Sequence, residues 1–217
     1  MNFAEKFVET IKNPKTAMKS IAEQPMIEEA VAIVGIYAVL SALAGYVQSY
    51  KITYIYEGFG NMPSSMQSAM TIFAVAGGLV GAFIVWLVGA GIIHLISMAL
   101  GGEGKFYPQM MTVVGYSMTP LIFAGIISLV MLFMLEPMTI TISRTNPMAV
   151  KELYNNPYII ASSIIGLIMQ IWFSIILFFG IQSAHKLTPA KSAIAAGIPL
   201  AVIVISFVFS IWSRSIS

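Results

Sequence analysis

The chain of 217 residues contains no cysteine. That removes disulfide frameworks, thiolate metal sites and cysteine nucleophiles together. Aspartate is absent as well, and with it Asp-based metal and phosphoryl-transfer chemistry. Charge is scarce. Only 9% of the residues are charged, where an ordinary soluble domain carries about 25%. Eleven Lys and Arg against nine Glu leave +2, too small a surplus for nucleic acid to be a partner. What is abundant is apolar side chain: 58% of the residues, with a mean hydropathy of +0.88. One soluble core of this size cannot hide that much apolar surface. A soluble enzyme is excluded, and the expected class is an all-α integral membrane protein.

A hydrocarbon core about 30 Å thick needs roughly 20 apolar residues in a helix. Five stretches qualify: 30–50, 70–100, 110–135, 158–181 and 192–212, none containing Glu, Lys or Arg. They do not alternate polar with apolar, so they read as helices and not as barrel strands. The longest, 70–100, exceeds the core and requires tilt, a kink or protrusion. The expected organisation is a segment 1–24, followed by a five-span membrane domain over 25–217. Ala42-Leu43-Ala44 before Gly45 has the small-x-small spacing of a signal-peptide cleavage site. Glu28 and Glu29 abut the run, and a long patterned region precedes it, so it is read as a retained span.

The cations set the orientation. Lys6, Lys12, Lys15, Lys19, Lys105, Lys186 and Lys191 fall on one side, and Lys51, Arg144, Lys151 and Arg214 on the other. This predicts a multi-pass protein of the cell membrane with its N-terminus in the cytoplasm and its C-terminus outside. Tyr50, Tyr54, Tyr56 and Phe59 supply an aromatic belt at the outer boundary. Met138 to Ser143 alternates Thr or Ser with apolar residues, which predicts an extended segment, and Asn146-Pro147 is set to cap a short helix ending near Tyr154.

The N-terminal segment reads as two short helices. Phe3, Phe7 and Ile11 recur every four residues, and Asn13-Pro14 reads as N-cap and first residue of the second helix. That helix has Ala17, Met18 and Ile21 on one side and Lys15 and Lys19 on the other. Such a helix lies in the headgroup plane, packs on the ends of the spans, or does both.

Within the spans, Gly77, Gly81 and Gly89 form a small-residue ridge expected to admit a neighbouring helix closely. His94, seven residues before Gly101, sits roughly 10 Å inside the membrane. Tyr116 reaches a similar depth on the next span, so a buried polar cluster of His94, Tyr116 and Ser117 is geometrically available, either as a functional site or as a tie between helices. Gln170 is expected to hydrogen-bond across helices. Trp86, also mid-span, either fills the bundle or faces lipid, and Pro120 and Pro199 should kink their helices. The methionines read as core filling in preference to a soft-metal site. No H-E-x-x-H, Walker or G-x-S-x-G motif occurs, and neither His94 nor His185 has a carboxylate at metal-ligand spacing. No enzyme, cofactor or metal site is expected.

The order of motifs resembles the Yip (Ypt-interacting protein) domain family, in its prokaryotic or archaeal form, over nearly the whole chain. The matching residues are Asn13-Pro14 with Lys15-Thr16-Ala17-Met18, and Pro25 before the first span. They continue with Gly101-Gly102 and Lys105-Phe106, with Gly115-Tyr116-Ser117 and Pro120, and with His185-Lys186-Leu187 leading to Lys191 and Ala193. The resemblance implies a compact five-helix bundle. Eukaryotic relatives are associated with Rab-type GTPases and with vesicle traffic or membrane shaping. Their Asp-Leu-Tyr-Gly-Pro motif has no counterpart in a chain without Asp. The expected role is a non-enzymatic membrane scaffold that meets the lipid bilayer and protein partners or further copies of itself. A passive channel or transporter is the alternative, and a subunit of a larger complex a third reading.

Overall fold

The computed structural model describes residues 1–58, 64–143 and 149–215. Helices α1 (Phe3–Lys12) and α2 (Pro14–Glu23) precede α3 (Ile27–Lys51), strand β1 (Ile52–Tyr56) and α4 (Ser64–Ala99). A wide turn, Phe106–Met110, leads into α5 (Met111–Ser117) and α6 (Thr119–Met134). Strand β2 (Met138–Ile142), the single turn α7 (Lys151–Tyr154), α8 (Pro157–His185) and α9 (Pro189–Ser215) complete the order.

Five segments are long and apolar enough to cross a membrane: Ile27–Lys51, Ser68–Ala99, Phe106–Met134, Pro157–His185 and Pro189–Phe209. The all-α, five-span architecture is therefore present. Large side chains such as Phe73, Leu95 and Ile205 stand two-thirds or more exposed on these helices. In lipid that exposure carries no hydrophobic penalty, because acyl chains are as apolar as the side chains.

The third span is broken where a proline requires it. Pro120 lies in the first turn of α6, where its missing N–H costs nothing, and Met118 separates α5 from α6. Pro199 sits inside α9, which continues through it.

α3 and α4 pack along one another, and α6 lies between α3 and α8. The close approach of α4 to α3 does not use the expected ridge. A Cβ on Gly77, Gly81 or Gly89 would meet nothing within 4 Å. One on Gly78 would fall 2.6 Å from the Ala42 backbone nitrogen, and one on Gly45 would fall 2.8 Å from the Ala74 carbonyl oxygen. The contact stripe of α4 runs through Gly78, Ala82, Trp86, Ala90, Ile93 and Ser97, one position around from the predicted ridge. Trp86 belongs to this stripe and fills the bundle, donating its indole N–H to the Met111 carbonyl at 3.0 Å.

At the far end, β1 pairs in parallel with β2, Ile52 opposite Met138 through Tyr56 opposite Ile142. The extended reading of the second segment agrees with this. Ile52 and Ile140 close a small second core with Val47, Leu132, Leu135 and Leu153. Tyr54 lies on this pair, and burial, with Tyr154 and Tyr56 adding to it, raises its phenol above the ordinary 10.0. Phe59, the Asn146-Pro147 cap and Arg144 lie outside the described residues, as does the side chain of Arg214.

Candidate functional site

Two clusters of paired polar side chains, one around Glu29 and one around His185, lie at the end of the bundle where α1 and α2 pack. α1 begins with a capping box: the Glu5 N–H donates to Asn2 Oδ1 at 2.9 Å and the Asn2 N–H to Glu5 Oε2 at 3.0 Å. Its innermost residues are Lys6 and Thr10, one turn apart. Phe3, Phe7 and Ile11 flank that line, Phe3 edge-on to Tyr116 and Phe7 tilted against Phe123. α2 buries Ala17, Met18, Ile21 and Ala22 on the bundle, with the Met18 methyl filling the space above Gly180. The apolar face of α2 thus packs on the ends of the spans.

Lys6 is buried because it has a partner. Its Nζ donates to Glu29 Oε2 at 2.7 Å, and the Tyr116 hydroxyl donates to the same oxygen at 2.6 Å. Glu29 stands in the first turn of α3, where the helix dipole favours a negative charge. One carboxylate therefore joins α1, the first span and the third span. Gly115 makes this possible, since a Cβ there would fall 2.6 Å from that of Ala30 and hold α5 away from α3.

The second cluster surrounds His185, the last residue of α8. The Gly104 N–H donates to its Nδ1 at 3.2 Å, and the Glu103 N–H to its carbonyl at 3.1 Å. Nδ1 is thereby the acceptor, which places the ring proton on Nε2. Nε2 lies 3.3 Å from His94 Nδ1, so with both rings neutral His185 donates to His94, whose own proton is then on Nε2. The turn after α4 is shaped to this ring: a Cβ on Gly102 would sit 2.7 Å from His185 Nδ1, and one on Gly104 would sit 2.9 Å from it. Gly101 takes a positive φ of 88°, and Lys186 ends α8 in the left-handed region at φ 52°. Lys191 approaches Gly101 from the start of α9.

The expected cluster of His94, Tyr116 and Ser117 is not assembled. His94 pairs with His185, Tyr116 with Glu29, and Ser117 returns its hydroxyl to the Val113 carbonyl at 2.8 Å. Depth along two helices did not decide the partners; the sides of the helices on which the rings stand did. Sequence reasoning also missed that the bundle holds a carboxylate, because Glu29 lies just before the run that defines the span. The signal was Lys6 and Thr10 at helical spacing on α1, opposite an acid at the mouth of the first apolar run. Gln170 likewise makes no interhelical side-chain bond among the described residues.

The two clusters tie helices together, and their geometry offers no nucleophile beside a free base. Among the described residues no group of three His or Glu side chains is placed to hold a metal.

The segments that meet here are the ones that carry the resemblance in the sequence: Pro14 opening α2, Gly101-Gly102 against His185, Gly115-Tyr116 against α3 and Glu29, and Pro120 opening α6. The model of the Yip1 domain matches residues 8–211. The chain belongs to the Yip1 domain family. It is 29% identical over 123 residues, 56% of its length, to an uncharacterised protein of Methanocaldococcus jannaschii, of which it covers 84%. No solved structure matches significantly. This Yip1-family chain is thus a multi-pass membrane protein in contact with lipid.

Proposed function

We propose that this Yip1-family protein is a non-enzymatic membrane-organising protein of the cell membrane, acting through α1 held as a fixed interfacial helix, with its N-terminus in the cytoplasm and its C-terminus outside. The observation that carries this reading is the pairing of Lys6 with Glu29 beside a phenylalanine face. Phe7 touches Phe123, a span residue 41% exposed to the surroundings of the bundle. In this reading the Phe3 and Phe7 side of α1 meets acyl chains, while the exposed Lys12 and Lys15 meet headgroups. A wedge fixed to the spans in this way displaces lipid in one leaflet only, which favours curvature. The surface left open to a protein partner is the exposed outward face of α1 and α2.

The test uses the full chain in liposomes. Because the protein has no native cysteine, a Phe3→Cys variant takes a single environment-sensitive fluorophore. Brominated lipids should quench that probe, and the protein should narrow the vesicle size distribution. Phe3→Ser with Phe7→Ser should abolish the narrowing. A probe that reports water, with vesicle sizes equal to protein-free controls, refutes the reading.

A further inference from the structure

A cavity of about 300 Å3 lies within the membrane-spanning part of the bundle, between α3, α6 and α8. Its apolar walls are Leu40, Ala44, Leu121 and Ala124. Four polar side chains also line it: Tyr37, Ser41, Ser128 and Gln170. Gln170 stands roughly 20 Å of helix from either end of α8, which is mid-bilayer.

None of these four side chains hydrogen-bonds to another described residue. Several other span hydroxyls behave differently, although the buried hydroxyls of Ser97 and Ser192 also lack a partner among the described residues. Ser117, Ser163, Ser174 and Ser206 each return the hydroxyl to the carbonyl four residues back, at 2.8 to 3.0 Å. This satisfies a polar group in lipid at a small cost to the helix. Ser41 and Ser128 leave the same option unused and line the cavity beside a glutamine amide and a phenol. An unpaired polar group in hydrocarbon is costly, so four around one space point to a partner that brings both donors and acceptors.

The lining also limits what that partner is. It holds no Lys, Arg, Glu or His, so a charged headgroup would be desolvated with nothing to compensate it. Gly166 lines the space, and a Cβ there would meet nothing within 4 Å, so helix packing does not require this glycine.

We infer that this cavity is a binding site for the uncharged, hydroxyl-bearing head of a membrane amphiphile, a neutral glycerolipid or an isoprenoid alcohol. Tyr37, Ser41, Ser128 and Gln170 hydrogen-bond the head, and the tail extends along the apolar walls. The site is independent of the role given to α1.

Photoactivatable probes distinguish the sources on the full chain in nanodiscs. The probes are a diazirine diacylglycerol, its 3-O-methyl ether, a phosphatidylglycerol with the same chains, and a diazirine isoprenoid alcohol. One of the two hydroxyl probes should label peptides of α3, α6 and α8 at the lining residues. The methyl ether and the phosphatidylglycerol should label them at least about tenfold less, because a site built for a hydroxyl rejects analogues that leave its groups unpaired. Gly166→Leu fills open space, so it should cut labelling at least about tenfold with the melting temperature unchanged. Ser128→Ala should narrow the preference for hydroxyl over ether. Equal labelling by all probes, lining peptides labelled by neither hydroxyl probe, or labelling indifferent to Gly166→Leu each overturns the site. So does glycerol flux through proteoliposomes that Gly166→Leu abolishes, which would make the cavity part of a water-filled path.

Discussion

Lys6 and Glu29 form a buried ion pair at 2.7 Å, with side chains 6% and 14% exposed, and the Tyr116 hydroxyl shares the acceptor oxygen. Removing one member leaves the other charge buried without a counterion, which costs roughly 3–5 kcal/mol. Lys6→Met and Glu29→Gln should each lower unfolding stability in detergent by that order and expose α1 to protease. The double variant should recover much of the loss. Equilibrium unfolding, with limited proteolysis of the N-terminus, checks both effects. A loss below about 0.5 kcal/mol in either single variant, the size of an ordinary surface substitution, would show that the pair does not hold α1.

Tyr116→Phe separates the hydroxyl from the charge pair. The ring stays in its fully buried place, and only the bond to Glu29 Oε2 is lost. A hydrogen bond to a charged group contributes about 1.5–3 kcal/mol. The same unfolding measurement should therefore give a smaller loss than Lys6→Met. If the order is reversed, Tyr116 and not Lys6 is the chief partner of the carboxylate.

The spans were legible because their signal is length and composition, which do not depend on neighbours. The strand β2 and the α2 boundary were legible for a similar reason: alternation at Met138 to Ser143 and Pro14 after Asn13 act locally. Pairings were not legible. His94 and Tyr116 share a depth, yet the rotation of each helix sends one to His185 and the other to Glu29. Rotation is set by close contacts such as Gly78 on Ala42 and Gly115 on Ala30, which involve residues far apart in the chain. β1 escaped notice because Tyr54 and Tyr56 suit a membrane boundary as well as a strand, and its partner lies two spans away.

The tautomers of the histidine pair are measurable. With the Gly104 N–H on His185 Nδ1 and His185 Nε2 facing His94 Nδ1, both rings should carry their proton on Nε2 when neutral. Nitrogen chemical shifts of selectively labelled histidine in nanodiscs report this directly. His185→Ala should shift the His94 Nδ1 resonance by removing its donor. A proton on Nδ1 of His185 would contradict the bond from Gly104.

Tyr54 lies outside the spans, and its raised phenol makes a stability contribution that depends on alkaline pH. The neutral phenol is the form that fits the fold. The contribution is fully present below 10.0, the ordinary value, and is lost as pH rises through the higher folded value. The wild-type chain should therefore lose stability at the far-end strands between these values, and Tyr54→Phe should flatten that limb. Hydrogen exchange of the β1 amides across alkaline pH, compared between the two, gives the answer. Parallel curves would mean the phenol is not held neutral by the strand pair.

Two glycines on α4 should respond in opposite directions to the same substitution. Gly78→Ala drives a methyl into the Ala42 backbone at 2.6 Å, and backbone cannot rotate away as a side chain can. The α3–α4 contact must open, at a cost of about 1–3 kcal/mol. Gly81→Ala meets open space and removes a helix-weakening glycine, so it should be neutral or stabilise by up to about 1 kcal/mol. Paired melting curves in one detergent decide the matter. Should Gly81→Ala prove the more damaging, the ridge through Gly77, Gly81 and Gly89 has a partner helix in the assembled protein, supplied by another chain. Should Gly78→Ala be harmless as well, α4 turns a different face to α3.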